Sequence, residues 1–404
     1  MKISTYIQFS AVALGLLLIP SIASGQTSTT SDSLNMDAVY NRPLQFGNEA
    51  RLAIGGYVEA NTFYSSEDGL SEGLSFQARR LTMFMSGTIS NRIKFFSEIE
   101  FEEGGHEINI EFAAMDVAFH PAFNFRGGIV MNPIGAFNQN HDGPKWEFVE
   151  RPDMGVNMLP ATWSNPGMGV YGKLHSGDWV LGYEAYLTNG FNNSIIDNEE
   201  NRTFLPSAKE DAERFEESFN GKPLLTGKIA LKNRNLGEIG FSYMGGVYNK
   251  YTDDGVMLDD ERRVDVFAVD LRTSIKPLGT QIIAEVAVVY VDVPVTFTQQ
   301  YGSEQRGAFI DVVQPIHKGK ILDWEKSVVN LAARLDYVDW NVGTFNETGT
   351  DIGDEVVAIT PAISFRPTND TVIRLNYRYQ WQEDILNNPA AMTATWMFGF
   401  STYF

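Results

Sequence analysis

Thr371-Val372-Ile373-Arg374-Leu375-Asn376-Tyr377-Arg378-Tyr379-Gln380-Trp381 decides how this chain folds. Odd positions from Ile373 to Trp381 are apolar or aromatic, and even positions from Arg374 to Gln380 are charged or amide-bearing. A period of two puts the two sets on opposite faces of an extended strand. The pattern recurs in Val329, Leu331, Ala333, Leu335 and Tyr337 against Asn330, Arg334 and Asp336, and in Ile93, Phe95, Ile99 and Phe101 against Lys94, Glu98, Glu100 and Glu102.

Working outward, sixteen such segments lie between residues 51 and 404. The stretch 108–119 also fits a helical face, through Ile108, Phe112, Met115 and Phe119, and 279–293 is apolar on both faces. Connections sort by length. Those at 64–74, 131–166, 189–222, 250–261, 294–303, 341–354 and 382–392 are long, with 103–107 the short exception. The others are tight turns such as Ser90-Asn91 and Pro277-Leu278, with 317–326 the long exception. Long loops at one end and short turns at the other, with an even strand number, predict an all-β fold: a sixteen-stranded antiparallel transmembrane β-barrel with short periplasmic turns and long extracellular loops. A charged loop helix is expected over Ala208–Phe219, capped by Ser207 and Glu210.

The chain has 404 residues, no cysteine, and 51 acidic against 31 basic residues, for a net charge of −20. Lack of cysteine excludes a disulfide framework and thiol chemistry. The acidic balance argues against nucleic acid as a partner. The acid excess lies in the long connections, which suits hydrated loops beside lipopolysaccharide and its bridging cations. Lys2, the apolar run Ala11–Ile19 and the small residues Ala23-Ser24-Gly25 read as a cleaved signal peptide over 1–25. Residues 26–50 read as a periplasmic lead-in, and 51–404 as the barrel domain. No segment past the leader is apolar enough for a spanning helix, so a membrane crossing requires a closed barrel.

Several stretches resemble the phosphate-selective porin O and P family of outer-membrane porins. They are Phe76-Gln77-Ala78-Arg79-Arg80-Leu81, Arg126–Gly135, Trp146-Glu147-Phe148-Val149-Glu150-Arg151-Pro152, Leu187-Thr188-Asn189-Gly190-Phe191 and Ala333–Asp339. The terminal strand Trp396–Phe404 resembles the assembly signal of bacterial outer-membrane barrels, with Phe404 as its last residue. The resemblance implies a sixteen-stranded homotrimer in a Gram-negative outer membrane. The family's phosphate specialists use an arginine ladder and a lysine cluster, and the lysine cluster has no counterpart here.

With the apolar face turned to lipid, the inward bases are Arg80, Lys94, Lys228, Lys232, Arg272, Arg334, Arg374 and Arg378. The inward acids are Glu59, Glu98, Glu100, Glu102, Asp116, Glu184, Asp270, Glu285 and Asp336. A lipid-facing charge would cost about 2–4 kcal/mol near the midplane, which supports this phase. The connection 131–166 is the candidate constriction loop, offering Asn138, Asn140, His141, Asp142, Lys145, Glu147, Glu150, Arg151 and Asp153 to lumen water; a surface position is the alternative.

Two motifs carry little chemistry. Gly69-Leu70-Ser71-Glu72-Gly73 matches a nucleophile elbow without the strand-to-helix turn it needs. Gly167–Gly172 matches a dinucleotide fingerprint, but no helix follows. The five histidines are isolated in sequence, and the acidic run 251–261 lacks EF-hand order, so no metal or cofactor is expected, loose divalent binding in that run aside. The expected function is a passive, non-enzymatic channel for small hydrophilic solutes or ions, with anions such as phosphate among the candidate solutes. The competing readings are an outer-membrane barrel enzyme of phospholipase type and a secreted soluble β-sandwich that binds carbohydrate through its aromatics.

Overall fold

The computed structural model describes residues 33–43, 52–200, 202–297 and 301–404. The signal peptide read over 1–25 lies outside them. The strands in chain order are β1 (Leu52–Glu67), β2 (Leu70–Ser90), β3 (Ile93–Glu102), β4 (Glu107–His120), β5 (Phe123–Met131), β6 (Ser164–Ser176), β7 (Trp179–Thr188), β8 (Leu224–Asn233) and β9 (Gly237–Val247). After a small loop hairpin, β10 (Thr252–Asp253) with β11 (Val256–Met257), follow β12 (Arg263–Ile275), β13 (Thr280–Val291), β14 (Glu304–Ile321), β15 (Trp324–Asp339), β16 (Glu355–Thr368), β17 (Thr371–Gln382) and β18 (Ala391–Tyr403).

Sixteen of these strands form one closed antiparallel barrel, each paired with its sequence neighbours across the loops. The seam is β1 on β18, in register from Tyr57 opposite Tyr403 to Glu67 opposite Thr393. Closure leaves no edge, so every strand amide and carbonyl has a ladder to join. It also rules out a β-sandwich, which would keep two separate sheets.

Alternation sets the two faces. In β8, Leu225, Ile229 and Leu231 point outward and are exposed, while Thr226, Lys228 and Ala230 point inward and are buried. Aromatic rings gather on the barrel wall near both rims: Phe119 with Phe123 and Trp324 with Phe365 at the turn end, Phe267 with Tyr290 and Tyr379 with Trp381 at the loop end. Such girdles suit the two interfaces of a lipid layer.

Three local expectations change. First, 64–74 is not a loop: β1 and β2 continue as a hairpin to Asp68-Gly69, whose positive φ angles of 46° and 84° make a tight turn. Both faces of that hairpin are solvated near its tip, so polarity hides the strand without breaking its ladder. Second, 317–326 shortens to a turn at Leu322-Asp323 for the same reason. Third, the expected helix over 208–219 becomes α1 (Leu205–Glu210) and a separate 3-10 turn at Ala212–Phe215. Pro206 favours the earlier start, Leu205 and Ala208 bury, and extended Asp211 ends α1 and accepts from the Glu213 amide at 3.0 Å.

The segment 108–119 is strand throughout. Its register slips between Glu98 and Ile99, which face Phe112 and Ile110, so Glu111 is the extra residue of a bulge. Period two interrupted by one residue had mimicked a helical face.

Candidate functional site

Between β5 and β6 the chain makes its long connection, 132–163, and this loop lies inside the barrel. Its neck is closed by Asn132 N donating to Trp163 O at 3.0 Å. Asn138 clips the neck: its Nδ2 donates to Asn132 O (2.7 Å) and Trp163 O (3.0 Å), and its Oδ1 accepts from Trp163 N (2.7 Å). From there the loop reaches inward side chains around the wall. Ala136 N and Phe137 N donate to Glu285 at 2.8 and 3.1 Å, and Lys228 Nζ donates to Gly135 O at 2.8 Å. Gly135 has φ +63°, and a Cβ there would fall 1.7 Å from Glu285 Oε1, so only glycine fits this approach.

The remaining loop residues find wall partners in turn. His141 Nδ1 bonds Asn138 O (2.7 Å), and its Nε2 lies 3.4 Å from Glu98. Asn140 O accepts from Trp146 Nε1 (2.7 Å). Asp142 accepts from Tyr403 OH (2.7 Å) and pairs with Lys145 (3.0 Å). Glu147 pairs with Arg366 (2.7 Å), Glu150 with Arg79 (2.8 Å), and Asp153 with Arg378. Arg374 Nη1 donates to Gly143 O and Trp146 O at 3.1 and 2.9 Å. Arg151 differs, because its Nε and Nη2 are buried and have no hydrogen-bond partner among the described residues.

Apolar loop residues form the other half of the contact. Ile134, Phe137, Trp146, Met154, Met158 and Leu159 pack in one cluster with inward Val264, Val266, Ala268, Ala287, Val289, Phe309 and Val338. This explains why 279–293 is apolar on both faces: one face of β13 meets the outside, the other meets the loop. The lumen is therefore dry on its β12–β15 side. Open space lies elsewhere. One cavity of about 580 Å³ is bounded by Arg79, Arg80, Glu100, Glu102, Glu111, Glu150, Arg151, Asp153 and Lys209. Near the turn end, cavities of about 410 and 600 Å³ are bounded by Lys94, Asp116 and Arg126, and by Lys232, Glu238 and Arg272.

The wall charges are knitted into pairs. Arg80 meets Glu59 and Glu100 at 3.3 Å and Glu102 at 2.7 Å. Lys228 meets Asp270 at 2.5 Å, and Arg374 meets Glu59. Arg378 meets Asp336 at 3.3 Å. Lys94 and Arg272 keep the inward phase but remain exposed at the turn end. Several inward groups escaped the sequence reading, Arg366 beside Glu147 among them. Arg126 holds Asp116 (2.7 Å), Glu184 (3.2 Å) and Tyr186 OH (2.9 Å), Asp311 grips Arg334 through two 2.7 Å bonds, and Glu111 and Glu238 are buried. Asp311 lies between outward Ile310 and Val312, but apolar Phe309 on its own face blurred the phase of that strand. Glu111 was hidden by the bulge.

The other motifs resolve simply. Ser71 lies in β2, opposite Ser66, with its Oγ on Tyr64 OH at 3.1 Å. A Cβ at Gly169 would stand 2.0 Å from Ala185 O, so that glycine serves strand packing. Within the acidic run, Asp259 pairs with Arg262, Asp253 with Lys250 and Glu261 with Lys222. His141 is not isolated in space: its side chain, with Glu98 and Asp142, brings three ligand-type atoms within 4.8 Å of one another.

No known family model matches the chain. A curated relative, an uncharacterized protein of Aquifex aeolicus strain VF5, is 32% identical over 209 residues, covering 49% of this chain. The match spans 45% of that relative, less than half its length. Among solved structures, the barrel is similar to an anion-selective porin from Comamonas acidovorans, at TM-score 0.55 and 10% identity over 87% of this chain and 99% of that one. It is also similar to Salmonella typhi OmpF in complex with daunomycin (TM-score 0.54, 12% identity, 87% and 97% covered) and to Pseudomonas putida OprB (0.53, 11%, 87% and 94%). At these identities the likeness is one of fold: a sixteen-stranded, porin-like barrel.

Proposed function

We propose that this chain is an outer-membrane porin, a passive, non-enzymatic, water-filled channel for small hydrophilic solutes and ions. The observation that carries this reading is a closed barrel with an apolar outer face, charged inner face and one loop folded across its lumen. That loop, through Asn138, Asn140, His141, Asp142, Lys145, Glu147, Glu150 and Arg151, narrows the channel. Opposed charges on the 580 Å³ cavity would orient dipolar solutes in transit. The pairing of most wall cations supports a general channel over a dedicated anion ladder.

A second reading, passage of anions such as phosphate, rests on Arg151. Its two unpartnered nitrogens lie beside a cavity that Arg79, Arg80 and Lys209 also line. The likeness to an anion-selective porin and the motif resemblance to the phosphate-selective family support the same direction. The reading further assigns 1–25 to a cleaved signal peptide and 51–404 to the barrel; of the lead-in 26–50, read from sequence as periplasmic, the described residues 33–43 lie inside the barrel instead. It places a homotrimer in a Gram-negative outer membrane, with acidic loops toward lipopolysaccharide. Planar-bilayer recording in a KCl gradient tests it: conductance steps are expected, and the reversal potential reports ion preference. No step from folded protein overturns the channel, and a cation-selective potential overturns the phosphate reading.

A further inference from the structure

The described lead-in residues do not trail from the barrel but sit within it. Asn35 N donates to Glu238 at 2.8 and 3.0 Å, and Asn35 Nδ2 to Ala136 O of the constriction loop at 2.9 Å. Leu34 and Met36 bury against inward Val180 and Ala230, and a Cβ on Gly182 would stand 2.1 Å from Leu34 Cδ1. Tyr40 packs edge-on to Phe96 and Phe112, each 5.9 Å away. These wall positions are apolar or bare where a water-filled lumen would favour polar groups. Their surface is complementary to the segment.

The segment ends by placing Arg42 in a formed pocket. Its Nη1 donates to Glu98 (2.7 Å), and its Nε and Nη2 to the two oxygens of Asp142 (3.0 and 2.5 Å). Nη2 also lies 3.1 Å from His141 Nε2. With Nδ1–H donated to Asn138 O, a neutral His141 leaves Nε2 as an acceptor. Phe84 stacks 4.1 Å from the guanidinium carbon. The pocket is held independently of Arg42: Glu98 belongs to β3, while Asn138 and Tyr403 fix His141 and Asp142. Both carboxylates are fully buried; Asp142 also meets Lys145 at 3.0 Å, whereas among the described residues Arg42 is the Arg or Lys partner of Glu98, and leaving that carboxylate without one is costly. A planar fork with an aromatic beneath it suits guanidinium rather than a point charge.

We propose that Glu98, Asp142, His141 and Phe84 form a guanidinium site in the constriction, that Arg42 occupies it as a tethered plug, and that small guanidinium solutes compete with Arg42 for it. This deepens the channel reading and rests on it. The test uses the full chain in planar bilayers, with folding checked by heat-modifiable gel mobility. Arg42→Ala empties the site, and Gly182→Leu unseats Leu34 without touching the site. Unit conductance in KCl is expected to rise at least twofold in both. L-Arginine is then expected to block Arg42→Ala at a concentration at least tenfold lower than it blocks the native chain. L-Citrulline, similar in shape but uncharged, is expected to have no effect, and adding Asp142→Asn to Arg42→Ala is expected to abolish the block. Equal conductance in the native chain and the folded variants overturns the plug. Arginine acting no better than citrulline, or Zn²⁺ blocking where arginine does not, overturns the guanidinium site. Absence of conductance in every folded form instead contradicts the channel reading itself. Should Arg42→Ala fail to fold, Gly182→Leu carries the same comparison.

Discussion

Single residues decide whether the inner wall holds. Asp311 and Arg334 form a two-bond pair, both about 1% exposed. Asp311→Ala leaves the guanidinium buried without its carboxylate, which costs about 3–5 kcal/mol. A thermal melt in detergent is expected to show that loss, whereas Arg306→Ala, at an exposed pair, should shift the midpoint little, surface pairs contributing about 0–1 kcal/mol. Gly135 is equally exacting for a different reason. Gly135→Val places side-chain atoms on Glu285 and strains a positive-φ residue, so the first stretch of the loop, 134–137, should leave the wall. Unit conductance is expected to increase and its noise to grow, while the barrel still migrates as folded. Unchanged conductance would mean that this stretch does not narrow the path. Sequence showed Asp336 and Arg334 as an inward file but not the grip of Asp311, because Phe309 on the same face reads as an outward residue until the loop it packs against is known.

At the scale of elements, hydrogen-bond ladders and burial compete with composition. Terminal strand β18 joins β1 through Phe404 N to Gly56 O (2.9 Å) and Gly56 N to Phe404 O (3.1 Å). A Cβ on Gly56 would meet the Phe404 ring at 2.6 Å, so the glycine seats that ring. Deleting Phe404 is expected to lower the yield of folded barrel severalfold in outer-membrane fractions. Equal yield would remove its role as assembly signal. The 340–354 connection supplies a pH prediction. Burial and the neighbouring Asp339 and Glu200 push the Asp354 carboxyl up to about 6, against the opposing pull of Arg202 and Asn341. The folded loop thus holds this proton more tightly than the unfolded chain, whose carboxylate titrates near ~4. Stability contributed by protonation is therefore gained as pH falls through about 6 and levels off below about 4. Amide exchange across 340–354, corrected for its intrinsic pH dependence, should slow from pH 7 to pH 5, and Asp354→Asn should flatten that response. The strands themselves were legible wherever one face met lipid. They were obscured at the β1–β2 tip, where both faces meet water, at the Glu111 bulge, and in β13, where both faces are apolar.

For the whole molecule, the same physics sorts charge and oil. The net charge of −20 belongs to the loop end, while wall charges pair across strands and with the inserted loop. The sequence therefore revealed an inside and an outside, because alternation is local. It could not show that the β12–β15 side of the inside is covered by apolar packing, because the cluster joins Phe137 and Trp146 to residues more than a hundred positions later. Nor did it show Arg42 beside Glu98 and His141, a contact that spans strand, loop and lead-in. The central claim is that water and small solutes cross this barrel. Swelling of proteoliposomes in isosmotic sugars of increasing size measures that crossing directly. Swelling is expected with the smallest sugars, with a sharp fall as size increases and faster swelling for Gly182→Leu. Folded protein, native and Gly182→Leu alike, that admits no sugar faster than empty liposomes would contradict it.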